Sequence, residues 1–279
     1  MINIIQRNFF RLLRSGAFES KEQLEPMSVF KWQKLYQLAV MHDVAGYAYD
    51  GLMRCREQFF LHLSDAQWAQ WEKTIDGIRK NPRNDDAEED EFLRADHLTN
   101  PILNRKLQSV LDDEESDIKS RQMLLMIIRI SRHILNEGVP VRQLIELGTF
   151  LRTDGSGCDA TLLEKWLKSL KLQPVARLEA SLLILLLGVS REEISFAAEK
   201  DDKRTELIAQ ELMEFANTRV KDFYFYLSKE EGDVIVHTTN GSAMLGHIRR
   251  SARYFRYYPS ETLTNFFASF AHSLSHIEE

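Results

Sequence analysis

The chain is poor in the residues that punctuate or staple a fold. Twelve glycines and six prolines in 279 residues leave few sites for the tight turns of an all-β protein, and they exclude collagen-like and low-complexity architectures. Two cysteines, Cys55 and Cys158, are too few for a disulfide scaffold or a cysteine-rich zinc domain. The most apolar run, Leu182-Leu-Ile-Leu-Leu-Leu-Gly-Val189, falls far short of the roughly 20 residues a membrane span requires, and it reads as a buried helix. A basic excess is missing too: 36 Lys and Arg against 42 Asp and Glu give a net charge of −6, which argues against a general nucleic-acid binder. No basic leader precedes the first apolar residues, and Arg7, Arg11 and Arg14 break up the apolar stretch near the start. These features together place the chain in the cytoplasm as an expectation.

Helical periodicity fills most of the sequence. Ile5, Phe9, Leu12 and Leu13 recur at three- and four-residue spacing, with Ser15-Gly16 as the expected stop. Ser28 is placed to cap a helix carrying Trp32, Leu35, Tyr36 and Ala39, and Val44, Ala48, Gly51 and Leu52 suggest a third. Ser64-Asp-Ala-Gln67 has capping-box spacing and opens a helix with Trp68, Trp71, Ile75 and Ile78 along one side. Later helices are expected over 98–111, along the Met123/Ile127/Ile130/Ile134 stripe, and over 141–151. Others are expected after the box-like Thr161-Leu-Leu-Glu164, after Pro174, and near 243–257 and 260–277. A further box, Ser190-Arg-Glu-Glu193, comes after the most apolar helix.

One stretch breaks the pattern. Arg79 to Glu91 carries six acids within seven residues after Asn84 and no apolar side chain larger than Ala. Burial there cannot offset the entropy of ordering, so it reads as a linker. The expected organisation is a helical lobe over 1–78, an acidic linker over 79–97 and a helical domain over 98–279. The fold class is all-α with two lobes. Phe223–Tyr226 reads equally as helix or strand, and with the β-branched Val234-Ile-Val-His237 it suggests one short β-hairpin near 223–237.

Candidate chemistry is sparse. Acids at i, i+2 spacing (Asp86/Glu88, Asp113/Glu115) sit in runs best read as solvated or capping, because metal-assisted phosphoryl chemistry needs rigidly held carboxylates. Glu231 and Asp233, at the mouth of the strand candidate, are the one pair that could hold Mg²⁺ with a nucleotide, against a hairpin turn as the plainer reading. His272 and His276 share a helical face but lack a third ligand, and His133/Glu137 suits a helix-end ion pair. Cys158 follows Asp154-Gly-Ser-Gly157 without a nearby histidine, so a nucleophilic role has little behind it. The strongest cluster is His247-Ile-Arg-Arg-Ser-Ala-Arg-Tyr-Phe-Arg-Tyr-Tyr258. Arg249, Arg253 and Arg256 fall at i, i+4, i+7 with Arg250 adjacent, a local charge reversal on an acidic protein. Such a face suits a phosphate-bearing ligand, with Tyr254 and Tyr257 stacking. It suits equally an acidic partner, or internal salt bridges.

Several of these runs carry a family resemblance. Phe9-Phe-Arg-Leu-Leu-Arg-Ser-Gly16, Trp32-Gln-Lys-Leu-Tyr-Gln-Leu-Ala-Val-Met-His-Asp-Val-Ala-Gly46 and Tyr49-Asp-Gly-Leu52 resemble the N-terminal helical region of bacterial nucleotidyltransferase-like proteins. Ile130-Ser-Arg-His-Ile-Leu-Asn-Glu-Gly-Val-Pro-Val-Arg-Gln-Leu144 and Arg250-Ser-Ala-Arg-Tyr-Phe-Arg-Tyr-Tyr-Pro-Ser260 are similar to that family's C-terminal and closing segments. The family's catalytic core, Gly-Ser or Gly-Gly followed by a strand with alternate acids, has no counterpart here. Neither Gly155-Ser156 nor Gly241-Ser242 leads into such a strand, and the chain between Lys80 and Arg121 is too short and polar for that core. The resemblance therefore implies the fold of the flanks and transfers no catalytic residues. The expectation is a non-catalytic helical accessory or interaction protein with a protein partner and no cofactor. The alternatives are a divergent Mg²⁺-dependent nucleotidyltransferase using Glu231 and Asp233, and an RNA- or nucleotide-binding module using the arginine and tyrosine residues.

Overall fold

The computed structural model describes residues 3–59, 61–80, 93–113, 117–136, 141–197, 207, 252 and 254–275, the last seven by backbone alone. Among them the chain forms ten α-helices and two short 3₁₀ turns, an all-α architecture. The pair expected near 223–237 lies outside the described residues.

Helix α1 (Ile4–Phe18) opens with a capping box in which Asn3 Oδ1 accepts the Gln6 amide and Gln6 Oε1 accepts the Asn3 amide, at 3.0 and 3.1 Å. It does not stop at Gly16. It runs to Phe18 and closes on Glu19, which takes the left-handed conformation at φ 56°. Gly16 serves packing instead. Helix α3 (Ala45–Arg54) crosses α1 so closely that a Cβ on Gly16 would lie 1.9 Å from the Tyr47 carbonyl oxygen, and one on Gly51 would lie 2.1 Å from that of Leu12. The arginines that interrupt the first apolar stretch strap the following segment onto α1. Arg7 and Arg11 both bond Glu25, and Arg14 bonds Glu22 through two nitrogens at 2.7 and 2.9 Å. The Arg7 hydrogen bond holds the Glu25 carboxyl down at about 2.

Ser28 caps α2 (Val29–Met41), as its position suggests, and Ser64 and Gln67 exchange the two bonds of a capping box at the start of α4 (Asp65–Lys80). On α4 the buried stripe narrows to Trp71 and Ile75; Trp68 is half-buried and Ile78 exposed. Trp71 meets Tyr36 of α2 edge-on with ring centroids 4.9 Å apart, and the Tyr36 hydroxyl reaches Thr74 Oγ1 at 2.7 Å.

The second half is built around α6 (Ile118–Asn136), α7 (Val141–Thr153), α8 (Ala160–Ser169) and α9 (Gln173–Leu187), with α5 (Pro101–Leu111) alongside in sequence. Asp117 caps α6 by accepting the Ser120 amide at 2.7 Å, so the acids of that run do serve a helix start. Helix α8 begins earlier than the Thr161 box implies. Asp159, a stronger acceptor, takes the amides of Thr161 and Leu162 at 2.9 and 3.0 Å. The Ser190–Glu193 box forms, and among the described residues it opens a single 3₁₀ turn, Arg191–Glu193.

Residues from both sides of the 81–92 stretch share one apolar cluster, from Phe9 of α1 to Tyr258. Arg14 donates to the Leu186 carbonyl of α9 at 3.0 Å, Arg142 of α7 pairs with Asp43 at 2.5 Å, and Arg152 lies 4.4 Å over the Phe18 ring. None of the described helices is long and apolar enough to cross a membrane.

One core residue is out of character. Glu179 of α9 is fully buried. Ser131 Oγ lies 2.9 Å from both the Ile127 carbonyl oxygen and Glu179 Oε1. A hydroxyl has one proton, and the carbonyl can only accept, so both contacts are satisfied together when Glu179 is protonated and donates to Ser131. Burial pushes the Glu179 carboxyl well above its usual range, in agreement with that arrangement. Linkage gives the sign. The unfolded carboxyl ionises near 4.5 while the folded one keeps its proton. Stability is therefore lost as pH rises above the unfolded value, by about 1.4 kcal/mol per pH unit until the folded group ionises. Glu179→Gln, whose amide can donate to Ser131 in the same place, is expected to match the wild type near pH 4 and exceed it increasingly toward pH 7. Urea denaturation at several pH values checks this; parallel curves would show that Glu179 is ionised in the fold.

Candidate protein-interaction face

Over residues 259–268 the last described helix, α10 (Pro259–Ser275), is inside out. Its inward stripe is polar: Glu261, Thr262 and Asn265 are 0%, 1% and 3% exposed. Its outward stripe is apolar: Leu263 and Phe267, one turn apart, are 50% and 60% exposed. An ordinary surface helix has the opposite arrangement.

The inversion is set by what α10 packs against. Glu261 is clasped by three donors. Arg132 Nη1 reaches its Oε1 at 2.9 Å, as does the Thr99 amide at 2.7 Å, and the Asn100 amide reaches Oε2 at 3.1 Å. Arg132 is itself 1% exposed, so two charges have been taken out of water together. Around them Thr99 and Thr264 meet through their hydroxyls at 2.7 Å, and Asn265 Nδ2 donates to Asn136 Oδ1 at 2.9 Å. Tyr258, at the foot of the helix, donates its hydroxyl to the Leu170 carbonyl at 3.2 Å. Burial and the neighbouring Glu261 charge hold that phenol well above its usual range. These bonds fix the rotation of α10 about its own axis and leave Leu263 and Phe267 facing outward.

Just before α10 the chain makes a turn over 255–257. Phe255 is 49% exposed and Arg256 is exposed. Tyr254 and Tyr257, expected to stack on a ligand, are instead in the core at 3% and 8% exposure, their rings packed against protein. Arg256 lies in the turn and not on a continuous helix. Arg249, Arg250 and Arg253 lie outside the described residues, as do Glu231, Asp233, His276 and Glu137.

Other candidates are occupied by the fold. Cys158 Sγ contacts the Asp154 carbonyl at 3.9 Å, and burial followed by the Asp117 charge pushes its thiol up, which disfavours the thiolate a nucleophile needs. The Asp154–Gly157 loop forms a 3₁₀ turn. His133 meets Gln143 Nε2 at 3.1 Å. An open depression of about 340 Å³ lies over Arg94, Asp96, His97, Asn104 and Gln108. Its polar groups bond one another: Arg94 grips Asp96 through two nitrogens, and Gln108 donates to the Asp96 carbonyl at 2.7 Å. Among the described residues no three His, Cys, Asp or Glu side chains converge on a point where a metal could sit. Sequence reasoning missed Leu263, Phe267 and the Glu261 clasp. Their only signal was a glutamate in the first turn of a helix whose other residues are half apolar and half polar. Comparison with protein-family models, curated proteins and solved structures finds no match to this chain.

Proposed function

We propose that the protein acts by binding another protein, with the outward face of α10 and the preceding turn as the contact surface. On this reading it is a helical interaction protein whose scaffold derives from the helical flanks of the nucleotidyltransferase-like family. The observation that carries the reading is the inverted helix. Leu263 and Phe267 expose apolar surface that costs about 25 cal/mol per Å² to keep in water, while the same helix buries an ion pair. Phe255 and Arg256, exposed in the turn that precedes α10, are residue types enriched in interface cores.

A benzophenone amino acid at Phe267, photo-activated in the native host, is expected to yield an adduct of discrete mass. That adduct should disappear when Leu263→Glu is added. The same probe at Glu164, on the exposed side of α8, is the control. No adduct at Phe267, or equal adducts at both positions, overturns the reading.

A further inference from the structure

We propose that the face of α1 bearing Arg7, Arg11 and Arg14 is a recognition site for a linear acidic peptide of another protein, and that residues 20–27 of this chain are its resident, displaceable occupant. The proposal stands apart from the interaction reading of α10. The segment between α1 and α2 carries neither helix nor strand. Among the described residues, no backbone group from Lys21 to Met27 bonds another backbone group. Side chains hold that main chain instead. Asn8, 0% exposed, accepts the Glu25 N–H at 2.9 Å through Oδ1 and donates from Nδ2 to the Glu25 carbonyl at 2.8 Å. Gln58, in the chain after α3, accepts the Leu24 N–H at 2.9 Å and donates to the Glu22 carbonyl at 2.6 Å. A peptide bound in trans is gripped in the same way, its main chain by hydrogen bonds and its side chains by specific partners.

The side chains define what the site reads. Arg7 grips both oxygens of Glu25, at 2.8 and 2.7 Å, with Arg11 on the same carboxylate at 2.8 Å, and Arg14 grips both oxygens of Glu22. The three arginines fall at i, i+4, i+7, one face of α1. Leu24 and Met27 are buried, while Lys21, Gln23 and Pro26 are exposed. The ligand is therefore a peptide with two carboxylates three residues apart and a buried leucine between them, Glu-x-Leu-Glu. Each amide clamp needs both a donor and an acceptor from the backbone it holds. A phosphodiester chain offers acceptors only, which selects a peptide over a nucleic acid. The ion pairs are partly exposed, at 17–40% for the side chains concerned, and such pairs contribute little. With two apolar anchors besides, the segment can lift locally while the helices beneath stay folded. Its tether holds it at high effective concentration, so a partner's peptide gains the site when the resident contacts weaken.

Fluorescence anisotropy of the full chain with a fluorescein-labelled peptide of the sequence Ser20–Met27 tests this. Glu22→Gln/Glu25→Gln, which weakens the resident segment, is expected to bind that peptide at least about tenfold more tightly than the wild type, because a larger fraction of sites stands open. The same peptide with both glutamates replaced by glutamine should not bind. Cys55 gives a second readout. It is 2% exposed, its Sγ lies 3.9 Å from the Glu22 carbonyl oxygen, and a Cys158→Ser background leaves it the only thiol. Iodoacetamide should label Cys55 about tenfold faster in the double variant than in its parent at equal helical circular dichroism, and saturating peptide should slow the labelling again. If the double variant loses helical signal, Glu22→Gln alone carries both measurements. Any of four results would overturn the proposal: a variant that leaves the peptide unbound, equal binding of the glutamine peptide, equally tight binding of single-stranded oligo-dT, or a Cys55 that is labelled only as the whole chain unfolds in urea.

Discussion

Glu261→Gln is expected to destabilise the protein by about 3–5 kcal/mol, the cost of leaving a buried charge without its partner. The substitution keeps the shape of the side chain and removes only its charge. Arg132, 1% exposed, would then face a neutral amide at 2.9 Å. The amide has one acceptor oxygen where the carboxylate has two, so either the Thr99 or the Asn100 backbone N–H is left facing an NH₂ group. At roughly 2–4 °C per kcal/mol for a chain of this size, the melting temperature should fall by about 10 °C. A thermal melt monitored by circular dichroism checks this. Arg132→Met combined with Glu261→Gln should lose less than the two single losses together, because the second substitution no longer strands a charge. Leu263→Glu/Phe267→Glu, on the opposite face, should stay within about 0.5 kcal/mol of the wild type. That contrast separates the clasp, which holds the helix, from the outward face, which the proposed function assigns to the partner. If Glu261→Gln melts with the wild type, the pair is solvated and α10 is free to turn.

The physics of the clasp also explains how far the sequence could be read. Helices whose partners lie nearby were legible from spacing alone: Ser28 and the Ser64/Gln67 box do what short-range hydrogen bonding requires, and Pro174 sits in the first turn of α9. The cases that went differently are those decided at a distance. Gly16 has the spacing of a helix terminator, yet its role is set by Tyr47, thirty-one residues away. Thr161 loses the cap to Asp159 because a carboxylate competes better for the same amides. On α10, Leu263 and Phe267 carry the usual mark of a buried stripe. They face outward because Arg132 demands the carboxylate of Glu261 from a helix 129 residues later. Tyr254 and Tyr257 stand among arginines in the chain, which suggests a ligand platform, and are buried because neighbours in space outweigh neighbours in sequence.

Gly51→Ala should be among the most damaging single-methyl changes in the chain, at more than about 4 kcal/mol. Its Cβ would lie 2.1 Å from the Leu12 carbonyl oxygen and 2.8 and 2.9 Å from the Leu12 C and Cα atoms. All three are backbone atoms in the middle of α1, so no rotamer can yield, and relief requires the two helices to separate. Separation would also open Gly16 against Tyr47 and loosen Ala48 and Leu52, both 0% exposed, from the core. The same substitution elsewhere isolates geometry from propensity. Gly77, on the exposed side of α4, and Gly46, on α3, have nothing within 4 Å of an added Cβ. Alanine at either should stabilise by about 0.5–1 kcal/mol, by restricting the unfolded chain and favouring the helix. Chemical denaturation of the three variants therefore predicts opposite signs for one chemical change. A Gly51→Ala protein as stable as Gly77→Ala would mean that α1 and α3 pass farther apart than a backbone-to-backbone crossing allows. In that case the segment bearing Phe9 to Gly16 would need a different packing partner.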